Sequence, residues 1–291
     1  MSTTTVKKEV AYTHVTAPTQ YVDAAGIRFS YRRIGKKNTI PLLMHIHFTG
    51  TMDYWDPAVV DGLAAEREVI LFNNRGVSLT TGVTPSTFYE MARDAAAFID
   101  ALGLQQIDLL GFSIGGLVAQ QFTLDRPALV RKLVLVGTGP KAGEGMQPMT
   151  PEAGEIFGAQ YDNPEDLWLK VHFSPSALSQ AAGRAFIARK LQRQVNRDPE
   201  VNETVAPAQL AALASYNVIT DDRYSDLKKI EQPTLVINGS NDVIVYTINS
   251  YILQQKLPNA TLILYPDANH GSLFQYPETF VKHVNQFLDQ A

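Results

Sequence analysis

Gly111, Phe112, Ser113, Ile114 and Gly115, with Gly116 behind them, are the segment best suited to chemistry. An alkyl hydroxyl is a poor nucleophile, so an attacking serine must project from a tight turn where a base can reach it. Such a turn strains the serine backbone and crowds the residues two positions away, leaving room there for glycine. A helix starting at Ile114 would also aim an unpaired N–H at the place where negative charge develops on a substrate oxygen. The competing reading is a glycine-rich structural turn. Context favours a nucleophile elbow, because an apolar run at 107–110 precedes the motif and a helical pattern at 114–124 follows it.

A nucleophile needs a base, and the base needs a carboxylate to orient it. Both should follow Ser113 at the ends of later strands. The apolar run 235–238 leads into Gly239, Ser240, Asn241 and Asp242, and the run 262–265 leads into Pro266, Asp267, Ala268, Asn269, His270 and Gly271. Asp242 and His270 are therefore the expected acid and base, leaving the same sheet edge as Ser113. Glu144 and Asp267 are the rival acids; Asp267 stands too near His270 in sequence to be favoured. Of the other histidines, His14 falls in the N-terminal tail, His283 on the last helix facing solvent, and His172 in a helical stretch where it could face a substrate. His45 and His47 alternate along one strand and should point the same way, as a metal pair would. No third ligand stands nearby, so packing is their expected role.

These residues need a scaffold. A strand–turn–strand opening spans 21–23 and 27–34 around Ala24, Ala25 and Gly26, and 41–46 is a short buried run. Asp56 then Pro57 marks a helix start, with the helix running to about 65. The stretch 69–72 is a strand; Thr87 and Glu90 have capping-box spacing before a helix that Gly103 stops. A strand at 133–136, a helix at 247–257 and a final helix at 277–288 complete the pattern. Strands alternating with helices require crossovers, so the expected fold is α/β, a mostly parallel sheet with helices on both faces.

One stretch breaks the rhythm. Between 139 and 222 helical patterns occur without a buried strand, which predicts a helical insertion after the sixth strand. The expected division is a polar tail at 1–20, a core of 21–138 and 223–291, and a helical cap at 139–222. Met146, Met149, Phe157, Tyr161, Trp168, Phe173, Phe186 and Tyr216 would either line a pocket under that cap or fasten it to the core. Arg189, Arg193 and Arg197 recur every fourth residue and predict one basic, solvated helix face.

Composition excludes several classes. With 45% hydrophobic and 19% charged residues, the 291-residue chain can bury a sizeable core. Lys+Arg 25 against Asp+Glu 29, a formal net charge of −4, offers no general attraction for nucleic acid or an anionic membrane. There are no cysteines, so disulfides, thiolate metal sites and cysteine nucleophiles are excluded. No signal peptide or membrane span is visible, and the expectation is a soluble, cytoplasmic protein.

At this point the sequence resembles the α/β-hydrolase superfamily over roughly 21–288. The matching motifs are Ile46, His47, Phe48, Thr49 and Gly50 after the third strand, Asn73, Asn74, Arg75 and Gly76 after the fourth, the Ser113 elbow, 239–242, and Asn269, His270 and Gly271. Phe112 before the serine and paired Gly115 and Gly116 after it are most similar to the esterase and cofactor-free haloperoxidase (perhydrolase) branch. That resemblance implies Ser113 as nucleophile, His270 as base, Asp242 as orienting acid, and an oxyanion hole from the backbone N–H groups of Phe48 and Ile114. It implies no cofactor and no metal.

The chain departs from the family where His-Gly is usual: Ile46 and His47 stand there, so Phe48 is the expected first donor and Thr49 the alternative. Asn73 replaces a usual Asp, Ser78 a customary Gly, and Tyr246 a common Pro. A serine at the elbow disfavours haloalkane dehalogenase and epoxide hydrolase chemistry, which use aspartate there. The expected function is a serine hydrolase of small carboxylic esters or related acyl compounds. The alternatives are acyl transfer to peroxide or an alcohol, carbon–carbon bond hydrolysis, and a low-turnover ligand-binding receptor.

Overall fold

The computed structural model describes residues 12–290, so most of the expected tail lies outside the described residues. The strands are β1 (Gln20–Ala24), β2 (Ile27–Gly35), β3 (Leu42–His45), β4 (Glu68–Phe72), β5 (Ile107–Phe112), β6 (Val130–Val136), β7 (Thr234–Gly239) and β8 (Ala260–Tyr265). They form one sheet in the order β1-β2-β4-β3-β5-β6-β7-β8. β2 pairs antiparallel with β1 and β4, and every other neighbouring pair is parallel. β5 and β7 are buried at every position, as strands covered on both faces must be. At the two edges β1 alternates half-buried and exposed residues, and in β8 only Tyr265 is fully buried.

Among the described residues ten α-helices accompany the sheet: α1 (Pro57–Ala64), α2 (Phe88–Ala101), α3 (Ile114–Asp125), α4 (Pro151–Gly158), α5 (Pro164–His172), α6 (Ala177–Lys190), α7 (Val205–Tyr216), α8 (Ile248–Lys256), α9 (Ser272–Gln275) and α10 (Pro277–Asp289). One face of the sheet packs against α2, α3 and α8 through residues such as Phe98, Val118 and Leu253. The other packs against α1 and α10 through Val60, Leu63, Phe280 and Val284. Local rules set the ends. Asp56 caps α1 by accepting from Ala58 N at 2.9 Å, and Thr87 caps α2 by accepting from Glu90 N at 3.2 Å. Gly103, at φ 70°, closes α2, with its N–H on Asp100 O and Leu104 N on Ile99 O. No described helix is long and apolar enough to cross a membrane.

Helices α4–α7 all lie between β6 and β7, the stretch where no buried strand was expected. Two expectations about exposure fail. The three arginines do not share a solvated helix face, because α6 ends at Lys190. Arg189 pairs with Asp56 at 2.7 Å. Arg193 is buried and donates to the carbonyls of His14, Val15 and Ala17 at 2.8–3.0 Å. Nor does His283 face solvent: it is half-buried, with Nδ1 2.9 Å from the Tyr265 hydroxyl. His14, in the expected polar tail, is fully buried, with Nε2 3.0 Å from Met52 O.

A buried ionic network ties the segment after α6 to the segment after β3. Arg32, in β2, bonds Asp53 and pairs with Asp198 at 3.1 Å; all three side chains are sealed from solvent. Asp198 Oδ2 also accepts from Met52 N at 3.1 Å and from Asn73 Nδ2 at 2.9 Å. Burial pushes the Asp53 carboxyl up, but the Arg32 hydrogen bond and charge outweigh it and hold Asp53 below the usual carboxylate range. Burial dominates at Asp198 and raises it. The network explains Asn73, because an aspartate there would place a further negative charge against Asp198, whereas the amide donates to it.

Removing Arg32 takes the nearest counter-charge from two buried carboxylates, leaving Arg193 at 3.6 Å from Asp53. Arg32→Met should therefore lower unfolding free energy by about 3–5 kcal/mol in urea titrations. A loss under about 1 kcal/mol would show that water reaches the network.

Acid should act through the sealed histidines. Burial lowers His14 to about 4 and His45 and His47 to about 3, and puts His172 well below 6.5. Below pH 6.5 the unfolded chain binds protons that the folded chain refuses, so stability should fall as pH drops from about 6.5 toward about 4. Each such histidine contributes up to about 1.4 kcal/mol per pH unit. Urea midpoints measured across this range should flatten in His45→Phe by about one proton; an unchanged slope contradicts the neutral burial of His45.

Candidate active site

The turn from β5 into α3 is set by crowding. Ser113 sits at φ 57° and ψ −122°, a conformation that costs a non-glycine residue about 1–3 kcal/mol. Its N–H donates to Val136 O at 2.9 Å, and its carbonyl accepts from Gly116 N at 2.9 Å, so the strain is held from both sides. A Cβ on Gly111 would stand 2.4 Å from Gly115 O, and one on Gly115 would stand 2.2 Å from His45 O. Only glycine lets α3 start so close to both β5 and the end of β3.

Asp242 and His270 leave the ends of β7 and β8, and the two loops are laced together. Asn241 N donates to Ala268 O at 2.9 Å, and Val243 N to Asn269 Oδ1 at 3.0 Å. The Asp242 carboxylate is 3% exposed and fully employed: Oδ1 accepts from Ile244 N and Val245 N, each at 2.9 Å, and Oδ2 meets His270 Nδ1 at 2.9 Å. A carboxylate accepts only, so Nδ1 donates to it and Nε2 is the ring nitrogen left for the cavity. The rival acids are elsewhere. Asp267 accepts from the Ser176 hydroxyl, and Glu144 pairs with Arg223 at 3.2 Å.

Ser113 and His270 line one cavity of about 220 Å³, together with His47, Tyr54, Trp168 and His172. Among the described residues neither the Ser113 hydroxyl nor His270 Nε2 has a hydrogen-bond partner. Phe112 lies against His270, the two rings 5.2 Å apart, and His172 stacks nearly parallel to the His270 ring at 5.9 Å. Ser113 also lines a second cavity of about 250 Å³ with Ile114, Leu117, Met146, Met149 and Leu213. Phe48, Phe157 and Ile244 border both. Phe173, Phe186 and Tyr216 instead bury themselves against the core, and the Tyr161 hydroxyl bonds Ile156 O at 2.8 Å.

The segment after β3 supplies the remaining polar groups. Among the described residues the N–H groups of Phe48 and Ile114 have no partner, whereas Thr49 N donates to Gln209 Oε1 at 2.7 Å. His45 and His47 diverge, contrary to the alternation expected of them, because β3 ends at His45 and the chain turns. His45 packs edge-on to Phe72 at 5.0 Å; His47 packs against Phe112 at 5.4 Å. Among the described residues no cluster of three or more His, Cys, Asp or Glu could hold a metal ion. Two residues near the site escaped sequence reasoning. Lys190 is buried over the Trp168 ring at 3.5 Å and the Tyr54 ring at 4.5 Å, and burial, then Arg197, lowers it to about 8. Gln209 is buried on α7. Neither belongs to a spacing pattern that could have announced it.

Comparison with known proteins agrees with this architecture. The alpha/beta hydrolase fold family matches residues 40–277. A poly(3-hydroxyalkanoate) depolymerase of Ectopseudomonas oleovorans is 30% identical over 92% of this chain and 91% of its own. A Mycobacterium tuberculosis protein provisionally named a non-heme bromoperoxidase is 26% identical over 77% of this chain and 84% of its own. An alpha/beta hydrolase fold protein from Chitinophaga pinensis superimposes with a TM-score of 0.91 at 38% identity, over 96% of this chain and all of that one. The chain belongs to the α/β-hydrolase fold family and is a hydrolase of that family.

Proposed function

We propose that the chain is a serine hydrolase that cleaves carboxylic esters of apolar acyl groups through an acyl-enzyme. One observation carries the reading: a buried Asp242–His270 pair, bonded at 2.9 Å, presents Nε2 to the cavity into which the strained Ser113 projects. On substrate entry the Ser113 hydroxyl bonds His270 Nε2, a contact that tightens only in the loaded site. Oγ attacks the carbonyl carbon as its proton passes to Nε2, and Asp242 steadies the imidazolium. The oxygen that gains charge lies between the N–H groups of Phe48 and Ile114, and each such donor is worth about 3–4 kcal/mol in the transition state. His270 then protonates the departing alkoxide, and later takes a proton from the water that releases the acid.

The two cavities divide the substrate. The leaving oxygen must reach His270, so the alcohol side occupies the cavity lined by His47, Tyr54, Trp168 and His172. The acyl chain takes the apolar cavity beside Leu117, Met146 and Leu213. At roughly 30 Å³ per water-sized group, its volume holds about eight carbons. Residues 139–222 act as a cap, since α4, α5 and α7 contribute Phe157, Trp168 and Leu213 to these walls. The depolymerase relative, named for a polyester, supports an ester substrate.

A fluorophosphonate probe should label the wild-type protein and leave Ser113→Ala unlabelled, and Asp242→Asn should lower kcat by about 10⁴-fold. Equal labelling of both proteins would reject the nucleophile. With p-nitrophenyl esters, kcat/KM should rise with acyl length to about eight carbons. Ala206→Leu, which narrows the apolar cavity, should move that optimum to shorter chains. An unmoved optimum would place the acyl chain elsewhere.

A further inference from the structure

In the turn after β3 the left-handed position is filled by Thr49, at φ 52°, and not by a glycine. A β-branched residue in this left-handed region is strained by about 1–2 kcal/mol. The peptide joining Phe48 to Thr49 is gripped at both ends. Its carbonyl, Phe48 O, lies 2.8 Å from His47 Nδ1, and a carbonyl accepts only, so His47 donates. Its N–H, Thr49 N, donates at 2.7 Å to Gln209 Oε1, and only the amide oxygen can accept there. Gln209 is 1% exposed, on the same helix that lines the apolar cavity with Ala206, Leu210 and Leu213. A buried amide among such neighbours is costly unless its hydrogen bond serves the fold. Three residues on, Met52 N is held by Asp198 and Asn73, so residues beyond β6 grip this turn at a second point.

We propose that Gln209 is a positioning residue: with the His47 ring it clamps the Phe48–Thr49 peptide, and so aims the Phe48 N–H at the substrate oxygen. The inference rests on the serine-hydrolase reading above, and it assigns to α7 a part in the chemistry besides lining the pocket. The bond from the His47 ring to Phe48 O closes a ring of atoms that contains the Phe48 N–H, so slackening of the peptide at Thr49 would loosen that ring and let the N–H turn from the oxyanion. A glycine at position 49 would relax the strain; here two side-chain bonds hold it.

Gln209→Leu keeps the bulk and loses the acceptor. Its kcat on p-nitrophenyl butyrate should fall by about 10–100-fold, with KM within about threefold, since only transition-state binding is weakened. Affinity for a boronic acid that mimics the tetrahedral adduct should fall by the same factor. Gln209→Glu, which keeps an acceptor at the same reach, should turn over at least about fivefold faster than Gln209→Leu. Hydrogen exchange should find the Thr49 amide protected in the wild type and in Gln209→Glu, and exposed in Gln209→Leu. The clamp is overturned if Gln209→Leu keeps kcat and boronate affinity within twofold, if its loss lies in KM alone, or if the wild-type Thr49 amide exchanges freely. Wild-type turnover by Ser113→Ala would instead overturn the serine reading and the catalytic role of the clamp with it. Loss of activity in Ser113→Ala with normal Gln209→Leu removes the clamp alone.

Discussion

The contact on which this site depends is the near-touch between the first turn of α3 and the end of β3. Gly115 lies so close to the His45 carbonyl that a single added carbon would overlap it. That proximity has two consequences. It forces the chain through the left-handed conformation at Ser113, which throws the side chain off the strand end instead of into the core. It also sets the open N-terminus of α3 beside the turn at 46–50, so the free N–H groups of Ile114 and Phe48 approach one space from two elements. Helix starts leave such donors unpaired by geometry, and here no capping side chain satisfies them.

The second constraint is desolvation. His47, His172, His270 and Asp242 are all buried, and the imidazoles of His47 and His172 are held neutral by that burial. A cation beside His270 would oppose formation of an imidazolium there, so neutral walls suit the proposed ester cleavage. Asp242 remains an effective partner because two backbone N–H groups already bond it, so it is fixed before any charge develops. Lys190, whose charge adds to the lowering of His47 and His172, is turned against the faces of Trp168 and Tyr54.

The residues between β6 and β7 do more than cover the sheet. Through Asp198 they enter the buried network of Arg32 and Asp53, and through Gln209 they reach the turn after β3. Asn73 adds no further negative charge to that network: it bonds Asp198 through its NH₂ group and Met52 through its oxygen. Its departure from the usual acid and the placement of Asp198 are two halves of one arrangement. A turn braced from α7 can hold a left-handed Thr49 without a glycine there.

Local chemistry determined much of this protein. Apolar runs and caps marked every strand and the ends of α1 and α2 to within a few residues, because strand burial and helix termination depend on neighbours in the chain. The G-x-S-x-G spacing placed Ser113 on a strand-to-helix turn, and the order of strand ends placed Asp242 and His270 at the same edge. What sequence could not contain was contact across long separations. Arg193 read as solvated because three arginines at helical spacing form a stripe, yet α6 stops short and the side chain meets carbonyls nearly 180 residues away. His14 read as tail, and His45 and His47 as a parallel pair, because neither the docking of the N-terminal segment nor the end of β3 is encoded in periodicity. The choice between Phe48 and Thr49 as free donor turned on Gln209, 160 residues from its partner. Periodicity reports which face a residue belongs to; which distant group meets it is decided when the faces pack.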